Sequence, residues 1–420
     1  GNSMAISAQE LGRRLREARE ACAMTQEQVG RKLELSRASV AQMELGNRQV
    51  TSLELDRLAY LYGRDLRTFL SEQFEAQDAL TVMFRAHPDL GRDGQVADSL
   101  RRCIALGREL SNLEELVGVE RETLAPTAYP LSPPKNKWEA IQQGQYVAEN
   151  ERRRLELGDG PIGAIADLLE SQGIRTARVS LPEDVSGITI HDPEAGVFVA
   201  VNAGHSPLRQ RFSFANEYAH VLMDRDATQS IVSRGGNRAD LAEIRANAFA
   251  AVLLMPEKGV KRFVQALGKG QAGRAEAKVF DESGVTRVQH RAKPRFQEIQ
   301  VYDLAVVAHR FGVSTIAALY RMQNLGMLSE DLREMLQGDI DRGLDKEAAR
   351  ALDLDEAAWR PSFSDFKHRF VGLALEAYRR ELISEAKLRE LAALVEVSPE
   401  AILKLLEDDD AHERTHRVRR

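Results

Sequence analysis

One stretch of this chain, from Arg175 to Val201, breaks a pattern that runs through nearly all the rest. It holds three short β-like runs between turn residues: Arg175-Thr176-Ala177-Arg178-Val179, Gly187-Ile188-Thr189-Ile190 and Gly196-Val197-Phe198-Val199-Ala200-Val201. Elsewhere the apolar residues recur at helical spacing, as in Leu11, Leu15 and Ala18, or Phe366, Phe370 and Leu373. A chain with so little strand can build one small sheet and must pack the rest as helices. The expected class is therefore mainly α with a small β-sheet, α+β in kind.

The 420 residues leave room for roughly two to four domains. Pro126, Pro130, Pro133 and Pro134 crowd into nine residues and read as an interdomain linker. The expected division is an N-terminal domain 1–72, a helical linker region 73–134, a central domain 135–265, a loop 266–299, a helical C-terminal region 300–406 and a charged tail 407–420. The loop is inferred from the polar, basic and weakly periodic stretch 268–298. The tail, from Glu407-Asp408-Asp409-Asp410 onward, is expected to be disordered.

Lys and Arg number 58 and Asp and Glu 64, a net charge of −6. That excludes a polybasic coat for nucleic acid and still allows a local DNA-binding face. Cys22 and Cys103 are too few for a disulfide framework and suit a reducing cytoplasm. No run of about 18 apolar residues occurs, so no membrane span is expected.

Residues 25 to 45 have the form of a helix-turn-helix. Thr25 is an N-cap with Gln28 at the capping-box position, and Glu34-Leu35-Ser36 makes the turn. Ser36 then caps a short helix from Arg37 to Leu45, closed by Gly46-Asn47. Its outward residues Arg37, Ala38, Ser39 and Gln42 suit the major groove, where Arg matches guanine and Gln matches adenine. Gln26, at a helix N-terminus, and Asn47 and Arg48, after the helix, are candidate phosphate contacts. Residues 1–70 hold 11 Lys and Arg against 9 Asp and Glu, a small basic excess on an acidic chain. The run Gln26-Glu27-Gln28-Val29-Gly30, with Ser36 through Arg48, closely resembles the Cro/cI-type (XRE family) helix-turn-helix regulators. The resemblance covers about residues 8–70. It implies a five-helix domain, double-stranded operator DNA as partner and a homodimer on a palindromic site.

The second motif is Asn216-Glu217-Tyr218-Ala219-His220. In a helical His-Glu-x-x-His motif the two histidines hold zinc and the Glu acts on the bound water. Here Glu217 and His220 stand at the base and second-ligand positions, and Asn216 replaces the first histidine. Glu243, on a second helical stretch, is the candidate third ligand. Asp224 lies a turn further from the expected metal. An amide oxygen is a weak zinc ligand, so the motif reads as degenerate, with zinc expected to be absent rather than present. A metal-free Asn216 is expected to bridge Glu217 or His220.

Arg209-Gln210-Arg211-Phe212 before this motif and Ala246-Asn247-Ala248-Phe249-Ala250-Ala251 through Leu253-Leu254-Met255-Pro256 after it resemble the ImmA/IrrE family of metallopeptidase-like proteins. The resemblance spans about residues 137–265 and implies a zincin-like central domain. It also implies the company seen here, since many such domains are fused to Cro/cI-type readers. The sequence thus points to a sequence-specific transcriptional regulator, a repressor. Its degenerate domain would sense an effector ligand or a partner protein at the cleft. The alternative is an active zinc-dependent metallopeptidase that cleaves a repressor, with Glu217 catalytic and His220 and Glu243 on the metal.

Overall fold

The computed structural model describes residues 6–64, 66–72, 74, 78–119, 128–192, 195–224, 230–236, 240–269, 275–281, 284–290, 298–359, 365–404 and 406. The first five helices are α1 (Ala8–Ala21), α2 (Gln26–Leu33), α3 (Arg37–Glu44), α4 (Ser52–Leu61) and α5 (Leu66–Leu70). They close around Leu15, Val29, Val40, Met43, Leu58 and Phe69, a core that among the described residues takes none from beyond Phe74. Next come α6 (Ala79–Ala86), α7 (Pro88–Arg92) and the long α8 (Gly94–Val117).

The central part runs α9 (Lys137–Arg154), α10 (Ile165–Ser171), β1 (Arg175–Val179), β2 (Val185–Asp192), β3 (Gly196–Asn202), α11 (Pro207–Met223), β4 (Ser230–Arg234), α12 (Leu241–Leu254) and α13 (Glu257–Ala266). Its sheet has the order β1-β3-β2-β4, with β1 parallel to β3 and the other pairs antiparallel. Strand alternation feeds two cores. Val199 and Val201 face α11 and α12 through Phe214, Tyr218 and Phe249. Phe198 and Ala200, with Ile188 and Ile190 of β2, face Leu80, Met83, Leu90, Leu100 and Ile104.

The second core corrects one expectation. Region 73–134 is not merely a linker, because α6 to α8 cover a whole face of the sheet. Their apolar stripe finds its partner in strands about a hundred residues away, which local periodicity does not reveal. The proline-rich segment is tied to the central core by Tyr129 and Leu131, and the Tyr129 N–H donates to Leu222 O at 2.9 Å. Residues 120–127 lie outside the described residues.

A second correction falls in 266–299. The stretch expected as loop contains an antiparallel hairpin of β5 (Ala275–Asp281) and β6 (Gly284–His290). Its residues alternate with period two, but so many are polar that the apolar signal is weak.

The C-terminal region divides between two cores. Helices α14 (Val301–Phe311), α15 (Thr315–Asn324), α16 (Glu330–Asp341) and α17 (Leu344–Ala351) extend the central domain, with Leu304, Phe311, Leu319 and Leu336 in its core. Helices α18 (Asp365–Arg379) and α19 (Glu385–Leu394) return to α8, where Phe370, Leu388 and Leu391 meet Leu110 and Leu113. The tail 407–420 lies outside the described residues. Among the described residues no helix is long and apolar enough to cross a membrane.

Candidate functional site

The N-terminal domain presents its third helix outward. Thr25 and Gln28 form a reciprocal capping box on α2, and the Ser36 hydroxyl accepts the Ser39 N–H at 3.0 Å on α3. The turn between them is tight: a Cβ on Gly30 would come within 2.6 Å of the Leu35 carbonyl. Arg37, Ala38 and Gln42 are exposed on α3, Ser39 is half-buried, and Ser36 and Asn47 are exposed at its ends. Two expected contact residues are engaged with the protein. Gln26 Nε2 donates to Glu44 at 2.8 Å, and Arg48 Nη2 pairs with Glu54 at 2.7 Å. The Asn47 amide donates to Gln42 Oε1 at 3.1 Å.

Glu44 was not singled out by the motif and does much to orient the unit. It is buried and accepts both Arg19 Nε at 2.6 Å and Arg19 Nη2 at 3.0 Å. With Gln26 it therefore ties α1, α2 and α3 together. Its sequence signal is its position, one turn after the buried Val40.

The second candidate site lies where α11 crosses the sheet beside α12. Ser206 caps α11 and Pro207 opens it. Asn216, Glu217, His220 and Asp224 follow at near-helical spacing, and all four are buried. Glu217 Oε2 accepts the Thr189 hydroxyl of β2 at 2.6 Å. Gly187, two residues earlier on β2, leaves room for that carboxylate, since any Cβ there would overlap it.

His220 sits between two carboxylates. Its Nδ1 is 2.8 Å from Asp224 Oδ2 and its Nε2 is 3.4 Å from Glu243 Oε2. Asp224 in turn pairs with the buried Arg245, whose Nη1 donates to Gln143 at 3.0 Å. Asp224 thus orients the imidazole rather than serving as a further ligand.

Burial alone would lower the His220 pKa, but the Asp224 and Glu243 carboxylates on either side of the ring raise it to about 10. Burial pushes the Glu217 carboxyl up to about 7, against the pull of His220. It pushes Glu243 up as well, and there the neighbouring His220 prevails and holds the group below its ordinary value.

Asn216 does not bridge Glu217 or His220 as expected. Its amide donates to Asn247 Oδ1 at 3.0 Å, and its oxygen accepts the Ser233 hydroxyl at 3.3 Å. Asn247 lies four residues after Glu243 on the same face of α12, a spacing visible in the sequence. Thr189, Gly187 and Ser233 carried no such signal. Above this layer is a cleft of about 500 Å³, lined by Asn216, Glu243 and Asn247 together with Lys137, Arg209 and Arg234. Glu217 and His220, 0% and 1% exposed, lie beneath it.

The donor set can be tested against a metal. Two ligands on a tetrahedral zinc at about 2.0–2.1 Å stand about 3.4 Å apart, so His220 Nε2 and Glu243 Oε2 keep a ligand-like spacing. Protease-type zinc takes three protein ligands, and the third position here is an amide already bonded on both sides. Among the described residues, no three His, Cys, Asp or Glu side chains are placed to share one metal ion. Two of the three ligands that such a zinc takes are thus in place, and Glu217 Oε1, His220 Nε2 and Glu243 Oε2 are buried without a hydrogen-bond partner.

Two family profiles match the chain. One, described as a helix-turn-helix domain, covers residues 10–68. The other, described as an IrrE N-terminal-like domain of the M78 peptidases, covers residues 169–282 and so reaches into the hairpin. Comparison with curated proteins finds no match. The chain is a fusion of a DNA-binding helix-turn-helix domain with a protease-like domain of the IrrE N-terminal type.

Proposed function

We propose that this protein is a cytoplasmic transcriptional repressor whose protease-like domain has become a sensing or regulatory module. Arg37, Ala38, Ser39 and Gln42 read base edges, and Ser36, Asn47 and Arg48 contact phosphates, with Gln26 holding α3 in place through Glu44. A homodimer on a palindromic operator belongs to the same reading. The observation that carries it is the state of Asn216, which is tied to Asn247 and Ser233 where a first zinc ligand would stand. The cleft above takes an effector ligand or a partner protein.

The second reading is a zinc-dependent peptidase that inactivates a repressor. It is favoured by the ligand-like 3.4 Å spacing of His220 and Glu243. Elemental analysis of the purified protein, paired with Glu217→Gln, separates the two. Our reading expects far less than one zinc per chain and DNA binding unchanged in Glu217→Gln. Near-stoichiometric zinc, with cleavage of a partner protein lost in Glu217→Gln, would establish the peptidase instead.

A further inference from the structure

Among the described residues the buried core of the N-terminal domain is its own, and polar contacts join the domain to α8. Two arginines of α8 take part, beside the Lys32–Asp98 ion pair and the Arg67–Asn112 hydrogen bond. Arg101 Nη2 donates to Cys22 O at 2.9 Å, at the end of α1. Arg108 donates through Nη1 to Gly63 O, just after α4, and through Nη2 to Asp192 Oδ2 at 2.8 Å. Both arginines and Asp192 are buried.

Asp192 is the last residue of β2. Three residues earlier on the same strand, roughly 10 Å away, Thr189 holds Glu217. The strand is stiffened on both sides by β3 and β4, and the Asp192 Oδ1 also accepts the Ala195 N–H at 2.7 Å, which fixes the turn into β3. One strand therefore carries the floor of the retired protease site at one point and a buried ion pair to the reader's seat at another.

We propose that Arg108 and Asp192 are positioning residues that couple the DNA reader to the state of the protease-like site through β2. A displacement of Glu217 acts on Thr189, shifts the strand end at Asp192, and moves the guanidinium that holds the Gly63 carbonyl. The planar fork of an arginine suits this role, because one side chain serves two partners in fixed geometry. The inference uses the proposed sensing role for its biological purpose only; the mechanical link does not depend on whether metal binds.

Amide hydrogen exchange on the full chain tests it with a double-mutant cycle. Thr189→Val removes the hydroxyl that Glu217 accepts while keeping the side-chain shape. It is expected to speed exchange at residues 60–64 roughly three- to tenfold in the otherwise unchanged protein, and to have little effect there once Asp192→Asn is present. A merely structural Arg108–Asp192 pair would loosen the reader by the same factor whatever stands at 189. Equal effects of Thr189→Val in both backgrounds, or none in either, overturn the coupling. Should Asp192→Asn prevent folding, Arg108→Lys replaces it in the cycle with the same two outcomes, since a point charge cannot hold both partners as the fork does. Zinc content and partner cleavage decide the proposed function separately, so the two can fail independently.

Discussion

The two candidate sites treat polar side chains in opposite ways. On α3, Arg37, Ala38 and Gln42 point to solvent, while Glu44 is turned inward to lock the helix. On α11 every residue of the motif is turned inward, and the charges answer one another in a chain from Glu243 through His220 and Asp224 to Arg245. The first arrangement leaves its donors available to a large external partner. The second pairs part of its set internally and leaves Glu217 Oε1, His220 Nε2 and Glu243 Oε2 buried without a hydrogen-bond partner.

The sharpest challenge to that contrast is Asn216→His. If the site lacks only its third ligand, this single change should take zinc from well below one per chain to about one, measured by elemental analysis after dialysis. No gain would mean that the His220–Asp224–Glu243 network has drifted too far to reopen.

Next in size is Arg245→Met, which leaves Asp224 buried beside His220 without its cation. It should cost about 3–5 kcal/mol in urea unfolding. Arg37→Ala on the exposed side should leave stability within about 0.5 kcal/mol. It should weaken binding to a cognate duplex by about 1–3 kcal/mol, read by anisotropy titration. Similar stability losses at the two positions would erase the distinction.

The smallest effect concerns acid. Glu151 is fully buried and accepts Tyr129 Oη at 2.7 Å, Tyr218 Oη, and Arg154 through Nε and Nη2 at 2.8 Å each. Burial pushes its carboxyl up, but Arg154 and the two phenols outweigh that and hold it below the ordinary range. The stability it supplies is therefore present above a pH of about 4.3 and is lost as pH falls through that value and below. Glu151→Gln should flatten this acid limb by about 1–2 kcal/mol in pH-dependent unfolding.

What the sequence made legible was whatever depends on neighbours within a turn or two. The caps Thr25 and Ser36, the exposure of Arg37 and Gln42, and the α+β class all follow from local spacing, as does the placement of Glu217 and His220 on one helix, whereas Glu243 enters from a second helix through the family resemblance. Partner choice over long separations was not legible. Nothing near Asn216 announces Ser233, nothing near Arg108 announces Asp192, and the apolar stripe of α6 to α8 gives no hint that a sheet lies opposite. The occupied state of Gln26 and Arg48 was hidden for the same reason, since Glu44 and Glu54 look like ordinary surface acids in a linear reading.

The 3.4 Å between His220 and Glu243 has a consequence for the history of this chain. Every asparagine codon becomes a histidine codon by one base change. A population carrying this gene therefore generates the three-ligand motif afresh, repeatedly, while the other two ligands wait at nearly the right distance. The same change removes the Asn216 side chain and leaves Asn247 Oδ1 and the Ser233 hydroxyl to find other partners.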